Sequence, residues 1–217
     1  MLYELERKKM VQVVKNMYAH ELTNAAGGNL SQRVGEDMYI MTPTLASQNQ
    51  LWDISPHEIL VVDKNLNIVE GQGKVTREIN MHMEMYKADP RMRAIIHAHP
   101  KELMTFAILG SHMPLLCENL RALGDYFHCL DYAPSTTQEL ADKVADFIRE
   151  SKQDKLPFGA LLRVHGVILG GKDLFEVNAM LEKLEINAGA IVKSKILEAA
   201  GYHYKKIEGD YQFTEEF

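Results

Sequence analysis

Cysteine is nearly absent: Cys117 and Cys129 are the only two in 217 residues, and they lack Cys-x-x-Cys spacing. A disulfide framework is thereby set aside, and a cytoplasmic, disulfide-free protein is expected. No apolar run approaches the length of a membrane span. The charged start Met1-Leu2-Tyr3-Glu4-Leu5-Glu6-Arg7-Lys8-Lys9 reads as helix and not as a signal peptide. Excess positive charge is also missing. With 24 basic and 30 acidic residues the formal charge is −6, which speaks against nucleic acid or an anionic membrane as partner. Neither a Walker loop nor a dinucleotide fingerprint occurs, and there are no internal repeats, low-complexity segments or linkers. What remains is 46% apolar and 25% charged, ordinary for a soluble globular chain with a sizeable core. The length suits one domain, residues 1–217.

Hydrophobic spacing divides the chain into helices and strands. Leu5, Met10, Val13, Val14, Met17, Tyr18 and Leu22 fall on one helical face within residues 2–22. Alternating residues 30–34 and 38–41 flank Gly35-Glu36-Asp37 and predict a hairpin. Ser55-Pro56-His57-Glu58 has the form of a capping box, marking a helical turn before a strand over 59–62. Ile79, His82, Met83 and Tyr86 share a helical face, which puts Glu78 in that helix's first turn, where a carboxylate is favoured as the ion. A helix over 101–109 and a strand over 126–130 follow. Thr136-Thr137-Gln138-Glu139 caps a helix bearing Leu140, Val144, Phe147 and Ile148. The apolar stretch 160–169 contains His165-Gly166, and a last helix runs from Asp173 to a stop at Gly201 with Leu174, Val177, Leu181, Leu184, Ala188 and Ile191 toward the core. The expected class is α/β with a mixed, largely antiparallel sheet.

The chemistry gathers around Ile95-Ile96-His97-Ala98-His99-Pro100. Ala94, Ile95 and Ile96 read as a buried strand that Pro100 ends, and side chains alternate along a strand, so His97 and His99 face the same way. Two imidazoles near a carboxylate suit a borderline metal such as zinc, but two ligands are too few for a catalytic site. His165, read as lying in a strand and followed by glycine, is the natural third. Three histidines and Glu78 then make a catalytic-type zinc site with a position open to substrate. His20, His57, His82, His112, His128 and His203 read as surface or packing residues.

Glu78, His97-x-His99 and His165-Gly166, with Gly27-Gly28-Asn29-Leu30-Ser31 and Met41-Thr42-Pro43-Thr44 upstream, resemble the class II aldolase/adducin family in type and order over about residues 2–200. The resemblance implies a three-layer α/β/α fold around a central mixed, largely antiparallel sheet. It also implies a fourfold homotetramer with active sites at subunit interfaces. It places His97, His99 and His165 on the ligands of zinc, for which another divalent transition metal would also serve. Glu78 falls on the carboxylate that completes the metal shell and then acts as acid/base. Gly28, Asn29, Thr44 and Thr76 fall on contacts to a substrate phosphate.

Four departures from the aldolase pattern stand out. Ala26 replaces a threonine, Leu45 a glycine and Arg77 a serine, and Glu118 stands where the fuculose-phosphate aldolases carry a tyrosine proton donor. Leu45 is expected to crowd the phosphate pocket. Arg77 either adds a bidentate anion contact or pairs with Glu78 or a surface acid. Glu118, as in the dehydratase branch, would supply a second carboxylate. The resemblance thus implies a zinc-dependent lyase acting on a small sugar-like substrate, most simply by retro-aldol cleavage of a phosphorylated ketose through a metal-bound enediolate. The alternatives are a decarboxylase, dehydratase or 4-epimerase on a related sugar phosphate or sugar acid, or an adducin-like interaction module without catalysis. Tyr202, Tyr204 and Tyr211 are candidates to close over a neighbouring subunit's site.

Overall fold

The computed structural model describes residues 1–151 and 154–203. The first half runs α1 (Glu4–Ala19), β1 (Asn29–Gly35), β2 (Met38–Met41), α2 (Ala46–Gln50), β3 (Leu60–Asp63), β4 (Ile68–Glu70), α3 (Ile79–Ala88) and β5 (Ala94–Ala98). The second half runs α4 (Leu103–Leu109), β6 (Met113–Pro114), a 3-10 helix (Glu118–Leu123), β7 (Tyr126–Phe127), β8 (Cys129–Leu130), α5 (Gln138–Ser151), β9 (Phe158–Leu162), β10 (Gly166–Gly171) and α6 (Leu174–Ala199). Eight strands form one sheet in the order β4-β3-β2-β1-β5-β10-β9-β8, and only the β8–β9 pair is parallel. The expected mixed, largely antiparallel sheet is present.

Period-two alternation sends each strand's side chains into two separate cores. Leu30, Ile40, Val61, Ile96, Val167 and Leu169 pack with α1, α4 and α6 on one face. Tyr39, Met41, Leu60, Val62, Ile95 and Ile168 pack with α3 and α5 on the other. The result is three layers, α/β/α. The long helix α6 starts where its capping box predicts: the Asp173 carboxylate accepts the Glu176 N–H at 2.9 Å, and Glu176 accepts the Lys172 N–H at 2.7 Å. Ser55–Glu58 forms the expected turn before β3, with Glu58 accepting the Ser55 N–H at 2.8 Å while its own N–H donates to the Ser55 backbone carbonyl at 3.0 Å.

Some sequence expectations shift. His165 is not in a strand; it ends the turn between β9 and β10. Glu78 is the N-cap of α3 and not a residue of its first turn. The predicted strand over 126–130 divides at His128, because Tyr126–Phe127 pairs with β6 while Cys129–Leu130 joins the main sheet. The short helix α2 has a uniformly polar sequence after Ala46 with no apolar period to reveal it. Tyr204 and Tyr211 lie outside the described residues, and Tyr202 is exposed. Among the described residues no helix is long and apolar enough to cross a membrane.

Candidate metal centre and active site

Strand parity assembles the centre. Ala94, Ile96 and Ala98 belong to the α1/α4/α6 core, so Ile95, His97 and then His99 look toward the α3/α5 side. The N-terminus of α3 delivers Glu78 on that same side, and the β9–β10 turn delivers His165. Glycine is required right after His165. A Cβ on Gly166 would lie 2.5 Å from the Ala98 carbonyl oxygen and 2.6 Å from His99 Cδ2. The loop before β1 closes the other flank, where Gly28 has φ +106° and a Cβ would come within 2.8 Å of Thr23 Oγ1.

The three imidazoles and the carboxylate converge on one point. The ligand atoms of His97, His99 and His165 lie within 4.8 Å of one another. His97 Nε2 is 3.2 Å from Glu78 Oε2, and His165 Nε2 is 3.1 Å from Glu78 Oε1. His97 Nδ1 donates to the Val167 carbonyl at 2.9 Å, which leaves Nε2 bare and aimed inward. His97 Nε2 and His99 Nε2 stand 3.1 Å apart. The His99 ring can donate a proton across that distance, or a cation can take the proton's place between the two nitrogens. Buried Glu78 Oε1 and His165 Nδ1 lack hydrogen-bond partners among the described residues. Burial pushes His97 down to about 4 and His99 down to about 3, so both are neutral, the ligand form. Burial also raises the Glu78 carboxyl, but His97, His165 and the Asn29 amide outweigh it and hold the group well below the usual carboxylate range. The donor set, one carboxylate and three neutral imidazoles, fits a divalent transition metal.

Beside the centre opens a cavity of about 220 Å³, lined mainly by polar residues of the surrounding loops. Arg77 is the one cation among its described lining residues. Its side chain is exposed and makes no hydrogen bond or ion pair with the described residues, so the expected alternative of pairing with Glu78 or a surface acid is not what the structure shows.

The sequence matches the model for the Class II Aldolase and Adducin N-terminal domain over residues 8–192. The chain belongs to this family. An L-fuculose phosphate aldolase of Methanococcus maripaludis is 29% identical over 181 residues, covering 83% of this chain and 93% of that one. A 3-oxo-tetronate 4-phosphate decarboxylase of Haemophilus influenzae is 26% identical over 190 residues, covering 84% and 85%. A solved L-fuculose 1-phosphate aldolase superposes with a TM-score of 0.77 at 27% identity, covering 91% of this chain and 89% of that one. The relatives are aldolases and kindred lyases, and this class II aldolase-family chain is an enzyme of that type.

The family-based expectations land unevenly. Gly28, Asn29, Thr44, Thr76, Arg77, Glu78, His99 and His165 all border the cavity, and His97 lies buried behind them. Asn29 uses one of its two amide N–H groups on Glu78 Oε2, at 3.0 Å. Thr44 spends its backbone N–H on the Lys74 carbonyl at 3.0 Å. Leu45 borders the cavity with φ 62°, in the left-handed conformation that glycine adopts freely. Glu118 is exposed at the start of the 3-10 helix and does not line the cavity of its own chain. Ser135 and Thr136 do line it, although the sequence pattern marks Thr136 only as part of a helix cap. Thr136 has φ 67°, rare for a β-branched residue. A Ser-Thr pair just before a helix gives no sequence cue separating cap from site.

Proposed function

We propose that the protein is a zinc-dependent lyase that cleaves a phosphorylated ketose by a retro-aldol reaction. The observation that carries this reading is the convergence of three inward imidazole nitrogens and Glu78 at the edge of a polar cavity whose described lining holds a single cation, Arg77. When bound at His97, His99 and His165, zinc supplies Lewis-acid stabilisation of the negative charge that develops on substrate oxygens as the carbon–carbon bond breaks. Arg77 binds the phosphate as a bidentate partner, with Gly28, Thr44 and Thr76 shaping the wall around it. The hydroxyl that becomes the aldehyde loses a proton, and the carbon of the other fragment gains one. Glu118 takes the hydroxyl proton and returns it to solvent, while Glu78, placed by the Asn29 amide, takes up a proton from solvent and delivers it to the carbon. Because Glu118 is exposed in its own chain, this role calls for a homotetramer in which it reaches a neighbouring subunit's cavity.

Glu78→Gln tests the reading: bound metal should be retained and turnover lost by about 10²–10⁴-fold, the usual worth of a positioned acid/base. Undiminished turnover on a verified ketose phosphate would sink it. A second reading, decarboxylation of a sugar-acid phosphate, has Arg77 and the decarboxylase relative in its favour. Product analysis separates the two, since a triose phosphate with an aldehyde marks the aldolase and carbon dioxide marks the decarboxylase. Elemental analysis of gently purified protein identifies the metal.

A further inference from the structure

Five side chains continue from the centre into the protein as one chain of hydrogen bonds. Asn29 Nδ2 lies 3.0 Å from Glu78 Oε2, and Asn29 Oδ1 lies 2.5 Å from His82 Nε2. His82 Nδ1 is 2.7 Å from Ser31 Oγ, which is 2.9 Å from the Tyr86 hydroxyl. Asn29 and Ser31 alternate with Leu30 on β1 and so face α3, where His82 and Tyr86 sit one turn apart. All four are buried: Asn29 is 5% exposed, Tyr86 2%, and Ser31 and His82 0%.

One end of the chain fixes every proton in it. The Glu78 carboxylate can only accept, so Asn29 must present its amino group there and its carbonyl to His82. His82 Nε2 therefore carries a proton. Burial keeps this ring neutral, pushed down to about 4, so Nδ1 is bare and accepts the Ser31 hydroxyl. The Ser31 oxygen in turn accepts from Tyr86. Every group donates toward Glu78. The reversed chain would face the Asn29 carbonyl against a carboxylate oxygen 3.0 Å away and leave the Tyr86 proton without an acceptor among the described residues.

We propose that His82 is a positioning residue: as the Nε2–H tautomer, set from the Glu78 end and backed by the Ser31 and Tyr86 hydroxyls, it holds the Asn29 amide so that an N–H faces Glu78. His82 touches neither substrate nor metal; it acts through Asn29. Aligned donors polarise one another, so the last N–H is a stronger donor than an isolated amide. Its consequence for turnover rests on the reading of Glu78 as the proton-transfer group, whereas the tautomer itself does not.

The test is ¹⁵N-histidine NMR on the intact metal-loaded protein, with the His82 signal assigned by its loss in His82→Gln. The expected result is a single Nε2–H tautomer that does not change between pH 5.5 and 8.5. An Nδ1–H tautomer or an imidazolium at pH 7 overturns the proposal without touching the lyase reading. Tyr86→Phe keeps the ring beside Tyr39, whose centroid is 5.3 Å away, and removes only the terminal donor. It should leave His82 as the Nε2–H tautomer, because the Glu78 carboxylate still sets the Asn29 amide, and lower kcat severalfold with KM and bound metal unchanged as the chain loses its terminal donor. A Tyr86→Phe protein with an Nδ1–H signal contradicts the directional chain, and one with kcat within twofold contradicts the contribution of its terminal donor. If Glu78→Gln proves fully active while wild-type His82 is still pure Nε2–H, the lyase mechanism fails and the positioning geometry stands.

Discussion

Two groups of histidines lie close enough for their rings to touch, and only one of them makes a site. His97, His99 and His165 have ring centroids 4.7–5.5 Å apart; His112 and His128 are just as near, at 4.9 Å. The first group is held inward by strand parity and by the Val167 carbonyl on His97 Nδ1. In the second, both rings are exposed, and His112 Nδ1 is occupied by the Cys129 N–H at 3.0 Å. That pair borders an open groove of about 720 Å³ with Asp131, Glu139, Asp142 and Asp146, but among the described residues no set of three ligand atoms there converges. The backbones differ as well. Leu45 and Thr136 line the first cavity with φ above 60°, whereas no residue lining the groove has positive φ. Ring proximity is cheap on a protein surface. Convergence needs burial, a fixed tautomer and a carboxylate that shares the point.

The largest expected contrast is in metal and turnover. His97→Ala should strip the bound metal and cost at least about a thousandfold in kcat/KM, on the order of 4 kcal/mol of barrier. His112→Ala and His128→Ala should stay within twofold. Metal analysis and turnover of the three variants side by side decide it, and equal losses would erase the distinction between the groups.

Acid should separate the groups next. His82 falls from an ordinary 6.5 to about 4 in the folded protein because it is buried. Between those two values the unfolded chain binds a proton that folded His82 refuses, so stability is full above pH 6.5 and falls as the pH drops toward 4. The loss amounts to about 3 kcal/mol from this residue. His97 and His99, lowered by the same burial, add to the slope, and a bound metal keeps their share because it holds both rings deprotonated. Urea midpoints at pH 7 and 4.5, with and without metal, measure it. His128 is also lowered, by burial first and His112 second, but it is exposed and its deletion should leave the slope unchanged.

Arg77 gives a smaller effect confined to binding. Arg77→Ala should raise KM for an anionic substrate about 10–100-fold, the worth of a charged hydrogen-bonded contact. The thermal midpoint should not move, because Arg77 has no partner among the described residues to lose. A drop in stability with KM unchanged would return Arg77 to the surface.

Much of this contrast was legible in the sequence. A two-residue period puts His97 and His99 on one face whatever the rest of the chain does, and His165-Gly166 combines a ligand with the only residue small enough to follow it. The elements were equally open to reading, since the apolar stripes of α1, α5 and α6 and the buried strand β5 follow from spacing, whereas their three-layer arrangement was implied by the family resemblance. His82 was not. Its helical face was visible, yet its partners Asn29 and Ser31 come from a strand about fifty residues earlier, and only the β1–α3 packing turns a core histidine into a link to Glu78. Glu118 was marked by the family resemblance, and the fold places it outside the cavity of its own chain. Leu45 and Thr136 carry no cue for left-handed backbone, because neither residue type prefers it.

That strained backbone yields the smallest prediction and one in which the two regions should answer with opposite sign. A β-branched residue held in the left-handed region costs about 1–2 kcal/mol. Thr136→Gly relieves this strain, while the looser unfolded chain takes back about 0.5–1 kcal/mol. The net gain should be about 0.5–1 kcal/mol, or roughly 1–4 °C in Tm for a chain of this size. The same change at Glu139 in the groove places glycine inside α5 and should cost about 1 kcal/mol. Thermal unfolding of both variants reads the sign directly. If Thr136→Gly destabilises as Glu139→Gly does, the threonine side chain contributes more to the cavity wall than its backbone costs, and the strain cannot be counted as a mark of the site.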